Sequence, residues 1–113
     1  MMIRHPVAAG TFYPAEEHEL RAMLSTLMKS AEFGSAVGVI SPHAGYVYSG
    51  SCAAFAYKLL KNKSFDTVIV LGPSHSTLLK GASVWKEGVY KTPLGDIKID
   101  EAVSYTHLTL PTN

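Results

Sequence analysis

One arrangement occurs twice in this chain. "VISPHAGYVYSG", Val39–Gly50, and "VIVLGPSHS", Val68–Ser76, are each a short apolar run that stops at a proline and delivers a histidine one or two residues later. Residues 36–41 are β-branched and apolar enough to predict a buried strand, and Thr67 to Leu71, "TVIVL", reads as a strand covered on both faces. Between them "GSCAAFAYKLLK", Gly50 to Lys61, is rich in helix formers and small residues, with Ser49 or Ser51 placed to cap it. Strand, helix, strand in this order predicts a parallel βαβ unit with a right-handed crossover, hence an α/β fold built on a partial open sheet. Ligands of such sheets bind beyond the carboxyl ends of the strands. His43 and His75 follow those ends, and neighbouring strands lie only about 4.8 Å apart, so the two imidazoles are expected to converge on one small ion or substrate atom. Neutral imidazole is a ligand for zinc, copper, nickel and iron.

The rest of the chain supplies the frame. Pro14, Glu16 and Glu17 have the chemistry of a helix start, and Leu20, Met23, Leu24, Leu27 and Met28 then recur at three and four spacing, predicting an amphipathic helix that ends near Gly34 after Lys29. Gly88 and Gly95 punctuate "ASVWKEGVYKTPLGDIKID" and predict two or three short extended segments. With 113 residues, 47% of them hydrophobic, there is material for one core. No apolar run approaches the roughly 20 residues of a membrane span, and the first residues lack the apolar centre of a signal peptide, so a cytoplasmic location is expected. Ten basic and nine acidic residues without blocks leave no footprint for nucleic acid or an acidic membrane surface. The single Cys52 fits a reducing compartment and is expected to pack as a small buried residue.

Other chemistries fit less well. Gly45 and Gly50 precede Ser51 and Cys52 rather than Lys-Ser/Thr, which argues against a nucleotide-binding loop and leaves a tight turn as the reading of those glycines. Ser74 adjoins His75, but adjacent residues on an extended tip point apart, so no nucleophile and base pair is visible. Tyr13, Tyr46 and Tyr48 are placed to flank a cleft or to pack. Asp66, Glu87, Asp96 and Asp100 are carboxylates available to complete a metal site, none singled out by context, while His5 and His18 read as structural or solvated.

Taken together, "RHPVAAGTFYP", "ISPHAGYVYSGSCAAFAY", "VIVLGPSHS" and "YKTPLGDIKID" resemble the N-terminal part of the Memo-like family, whose prokaryotic members are called AmmeMemoRadiSam system protein B. The resemblance covers Arg4 to about Glu101. It implies a fold similar to the catalytic subunit of class III extradiol dioxygenases, with His43 and His75 as metal ligands and Fe(II) or another divalent transition metal as cofactor. A family cysteine near the C-terminal end completes the ligand set, and Cys52 does not occupy its position. The site is therefore expected to be incomplete in this chain, with Tyr46, Tyr48 and Ser74 shaping the pocket around it. AMMECR-type and radical SAM proteins are the partners implied by association. The reading is a fragment of a metal-binding protein, in its full form a non-haem iron redox protein or dioxygenase-like enzyme, its reaction unknown. The alternative is a non-catalytic peptide- or anion-binding module using the same cleft. Family members are more than twice as long, and "VSYTHLTLPT" resembles a translated sequencing adapter, so residues 1–102 are expected to be part of a single domain and residues 103–113 an artificial tail, with His107 given no role. Such a fragment is expected to leave apolar sheet surface and an open edge uncovered.

Overall fold

Glu16 opens the first helix, α1 (Glu17–Lys29), as its carboxylate accepts the Glu19 N–H at 2.8 Å. Glu17 and Glu19 in the first turn and Lys29 in the last complement the helix dipole, and Arg21 Nε pairs with Glu17 at 3.0 Å. The apolar spacing appears as anticipated, with Leu20 buried and Met23, Leu24, Leu27 and Met28 half-buried. The computed structural model describes residues 2–109, with the side chains of residues 106–109 excepted. It divides into two compact units.

One unit, Pro6–Ser64 with Thr92–Gly95, contains α1 and the second helix, α2 (Tyr46–Lys58). This helix begins four residues before Gly50, and neither Ser49 nor Ser51 caps it, contrary to the sequence expectation. Backbone alone supplies the start: Tyr46 N–H donates to the Phe12 carbonyl at 2.8 Å, and the Gly45 carbonyl accepts Tyr48 and Ser49 N–H at 2.9 and 3.1 Å. Ser49 donates instead to the Ala44 carbonyl. The expectation of a turn that demands glycine backbone angles is also corrected, because Gly45 has a φ of −55° and Gly50 lies inside the helix. Space is what Gly50 supplies: a Cβ there would stand 2.8 Å from Leu27 Cδ1.

α2 packs on α1 rather than on a sheet, through a stripe of Gly50, Ala54 and Lys58. Lys58, only 8% exposed, donates from Nζ to the Met28 carbonyl at 3.0 Å and lies 4.3 Å from the centre of the Phe33 ring. Its charge thus sits at the carbonyl end of α1, where a cation is favoured. Cys52 is exposed, not buried as expected, because two residues beyond Gly50 turn it to the far side of the helix.

The other unit carries β1 (Ile3–Arg4), β2 (Val89–Thr92) except Thr92, and β3 (Gly95–Lys98) except Gly95, strands of one sheet in the order β1-β2-β3, followed by α3 (Glu101–Thr109). β1 runs parallel to β2, pairing Ile3 with Val89 and Arg4 with Tyr90, and the Arg4 guanidinium lies 4.2 Å from the Tyr90 ring centre. Gly88 is required twice over: its φ is +96°, and a Cβ would fall 1.9 Å from the Met2 carbonyl oxygen. β2 and β3 are two of the short extended segments expected here and lie side by side in the sheet, with Gly95 at a φ of +140°. Asp100 starts α3, accepting Val103 N–H at 3.1 Å on its side chain and Ser104 N–H at 2.9 Å on its carbonyl, while the Thr67 hydroxyl donates to its other carboxylate oxygen. α3 spans the boundary at residue 103 where the tail was expected to start.

The α/β class stands, but the expected parallel βαβ unit does not form. Residues 36–41 and 67–71 carry no strand, and the parallel pair is β1 with β2. Val37 and Ile40 are almost wholly exposed, and Val68 to Leu71 are all exposed. Runs of this composition are stable as strands only when partnered and covered on both faces, and the described residues supply no such cover. No described helix is long and apolar enough to cross a membrane.

Candidate functional site

The unit holding α1 and α2 contains a cavity of about 700 Å³, within the range of small-ligand sites. The small residues of α2 open it: Ala53 and Ala54 face Leu24, Leu27 and Met28 of α1 across the space. Arg21, Leu24, Ser25 and Met28 line it at one, four, five and eight positions along a helical stripe, so the face that reads as core by its leucines also carries a cation and a hydroxyl.

His43 reaches this cavity from the loop that leads into α2. The loop is held where Tyr46 N–H meets the Phe12 carbonyl, and the preceding segment is closed on itself by Gly10 N–H donating to the Tyr13 carbonyl at 2.7 Å, with Gly10 at a φ of +86°. Phe12, Tyr13, Tyr46 and Tyr57 give the cavity an aromatic wall. The Tyr13 and Tyr46 rings stand 5.3 Å apart at 35°. Burial first, then the neighbouring Tyr13 and Tyr57 phenols, raises the Tyr46 pKa above its ordinary 10.0. At neutral pH Tyr46 is therefore a neutral hydroxyl able to donate or accept. Arg21, His43 and Lys61 line the cavity, and no Asp or Glu does, although Glu17 pairs with Arg21 from outside the lining.

Of the residues singled out in the sequence, His43 and Tyr46 come together in the cavity, and Tyr13 joins them. Tyr48 is exposed and outside the lining, its ring passing beside Gly45. His75 and Ser74 belong to the other unit, on an exposed bend where the Ser74 hydroxyl donates to the Thr77 carbonyl. Among the described residues no group of three or more His, Cys, Asp or Glu side chains is placed to hold a metal ion. Asp66, Glu87 and Asp96 are exposed, and Asp100 caps α3. His5 and His18 are exposed, and the His107 side chain lies outside the described residues. Arg21, Tyr57 and Lys61 were not singled out in the sequence. The signal for Arg21 was its three-residue spacing to Leu24, and for Tyr57 its four-residue spacing from Ala53.

The family model described as Memo-like protein matches residues 4–109. A MEMO1 family protein of Methanococcus maripaludis strain C6 is 45% identical over 112 residues, covering 88% of this chain and 39% of its own length. One from Nitrosopumilus maritimus is 41% identical over 108 residues, covering 88% and 39%. Another, from Thermoplasma volcanium, is 39% identical over 105 residues, covering 91% and 39%. The chain thus spans about two-fifths of the length of these curated relatives, 39% in each case.

Proposed function

The chain belongs to the Memo-like family, and from that premise we propose that it is part of a metal-binding protein in which His43 and His75 supply two ligands to Fe(II) or another divalent transition metal. The observation that carries the reading is the placement of His43 in the wall of a ligand-sized cavity beside the Tyr46 phenol. The described side chains do not by themselves make a metal site, since no three donors gather. Two imidazoles fix neither affinity nor geometry, so the site needs a further donor beside those gathered among the described residues. When bound, such an ion would supply redox or Lewis-acid chemistry of the kind used by non-haem iron proteins, on a fold similar to class III extradiol dioxygenases. What the chain itself contributes is a neutral phenol at Tyr46, an apolar wall of Leu24, Leu27 and Met28, and cations at Arg21 and Lys61 that favour an anionic group. Cytoplasmic action alongside AMMECR-type and radical SAM proteins belongs to the same proposal.

Ferrous iron binding to a full-length relative under anaerobic conditions tests it. One equivalent should bind, and changing both histidines aligned with His43 and His75 to Ala should abolish it; equal binding by the double variant would refute the reading.

A second reading is favoured by one observation, the cavity lining of Arg21, His43 and Lys61 without a carboxylate. Here the protein is a binding module for a peptide or anionic group. Affinity for a phosphorylated peptide should then survive complete chelation of metal, and its loss on chelation would count against the module.

A further inference from the structure

The cavity between α1 and α2 sorts its lining by polarity. Leu24, Leu27 and Met28 of α1 are half-buried along it, and opposite them α2 presents Gly50, Ala53 and Ala54. Small residues at three- and four-residue spacing leave a shallow, flat floor where larger ones would fill the space. Phe12, Tyr13, Tyr46 and Tyr57 add the aromatic wall. The two cations of the lining, Arg21 and Lys61, are by contrast exposed. A long basic side chain that lines a cavity from an exposed position lays its stem along the apolar wall and keeps its charge at the mouth.

Charge sets a second constraint. No Asp or Glu belongs to the lining, so an entering anion meets no carboxylate there. Glu17, 3.0 Å from Arg21 Nε, offsets the guanidinium, whereas among the described residues Lys61 has no such partner. One positive charge is therefore uncompensated at the mouth. A single carboxylate matches it, while a phosphate monoester, carrying roughly −1.5 to −2 charges at neutral pH, exceeds it. Within the cavity a ring fits better than an aliphatic chain: ring against ring gains beyond the area buried, and a rigid ring loses no rotamers on entering. A volume of about 700 Å³ has room for two fused rings.

We propose that this cavity binds a flat aromatic molecule bearing one carboxylate, its rings against the small-residue floor of α2 and the aromatic wall, its carboxylate at the mouth on the Lys61 ammonium. This ligand class narrows the second reading above, a binding module for an anionic group, on which it rests. Lys61 becomes the residue that selects the ligand's charge, and no metal takes part in the recognition.

Three probes that share one ring system and differ in charge test it: naphthoate, its neutral analogue naphthalenemethanol, and naphthyl phosphate. Each is titrated calorimetrically, in excess chelator, into the 113-residue chain and into a full-length protein made by setting residues 4–109 of this chain in place of the matched region of the Methanococcus maripaludis relative. Near-ultraviolet tyrosine dichroism verifies packing before each titration, and the full-length protein decides the outcome if the chain alone lacks that signal. Naphthoate should bind one to one, at least about tenfold more tightly than either the alcohol or the phosphate, and Lys61→Met should erase its preference over the alcohol. Equal affinity for naphthoate and the alcohol, naphthyl phosphate as the tightest of the three, or an undiminished preference in Lys61→Met overturns the proposal. Tight binding of naphthyl phosphate without naphthoate overturns the carboxylate class and leaves the module reading standing. Binding of none of the three overturns the proposal, and the module reading falls with it if affinity for a phosphorylated peptide also disappears on chelation.

Discussion

Replacing Lys58 by Met removes one ammonium and keeps most of the stem. Three interactions are lost with it: the hydrogen bond to the Met28 carbonyl at 3.0 Å, the contact 4.3 Å from the Phe33 ring centre, and the favourable placement of a cation at the end of α1. Singly these are worth about 1.5–3 kcal/mol for a charged hydrogen bond, about 0.5–1 kcal/mol for the cation over the ring and about 0.3–1 kcal/mol for the helix end. They do not add, because one charge makes all three and its removal also relieves the cost of burying it. A net loss of about 2 kcal/mol is expected, dominated by the hydrogen bond. With a urea slope of about 1–3 kcal/mol per molar, the unfolding midpoint should fall by about 1 M. The assay is urea unfolding followed by near-ultraviolet tyrosine circular dichroism, which reports Tyr13, Tyr46 and Tyr57 in the same unit, with Trp85 fluorescence reporting the other unit. Phe33→Leu, which removes only the ring contact, should cost about 0.5–1 kcal/mol. An unchanged or raised midpoint for Lys58→Met would refute the reasoning, since it would mean that the buried charge costs as much as its partners return.

Gly50→Val forces a side chain into a space where Cβ alone already meets Leu27 at 2.8 Å; it should destabilise by about 1–3 kcal/mol, and adding Leu27→Ala should recover part of that loss in the same urea assay. Asp100 is held below its ordinary carboxyl pKa of 3.8 first by the Thr67 hydroxyl and then by the Val103 N–H. Its stabilising contribution is therefore present above that pH and lost as pH falls through the lowered value. Thr67→Val should move the acid loss of α3 amide protection to higher pH, and an unmoved midpoint in hydrogen-exchange NMR would contradict the assignment. Tyr46, raised above 10.0 by burial, contributes stability that is present below pH 10.0 and lost as pH rises through the raised value. Ultraviolet difference titration should find it ionising above pH 10.0, and Tyr57→Phe should lower its midpoint.

Local chemistry was the legible part of this chain. α1 is readable because Glu16, the leucine spacing and Lys29 lie next to one another in sequence, and the short extended segments β2 and β3 because Gly88 and Gly95, both at positive φ, punctuate them. What depends on a distant partner was not. α2 starts at Tyr46 because the carbonyl of Phe12, far back in the chain, takes its first N–H, and no side-chain cap announces that. Residues 36–41 and 67–71 have strand composition, but a strand is a property of a pair, and the described residues leave both runs unpaired. Cys52 departs from expectation for the same reason: residue type predicts burial, whereas α2 places Cys52 on its exposed side. In the site, His43 with Tyr46 followed from their shared turn. Arg21 and Lys61 carry no such signal, because in sequence a cation at the edge of an apolar stripe is indistinguishable from ordinary surface.

The central claim is that His43 and His75 bind one metal ion in the whole protein, and paramagnetic NMR of histidine-labelled full-length relative loaded with Co(II) reaches it most directly. The account predicts that the two aligned imidazoles shift together at one equivalent of metal while the other histidines keep their positions. Shifts at only one of the two, or at neither with metal bound elsewhere, would contradict it.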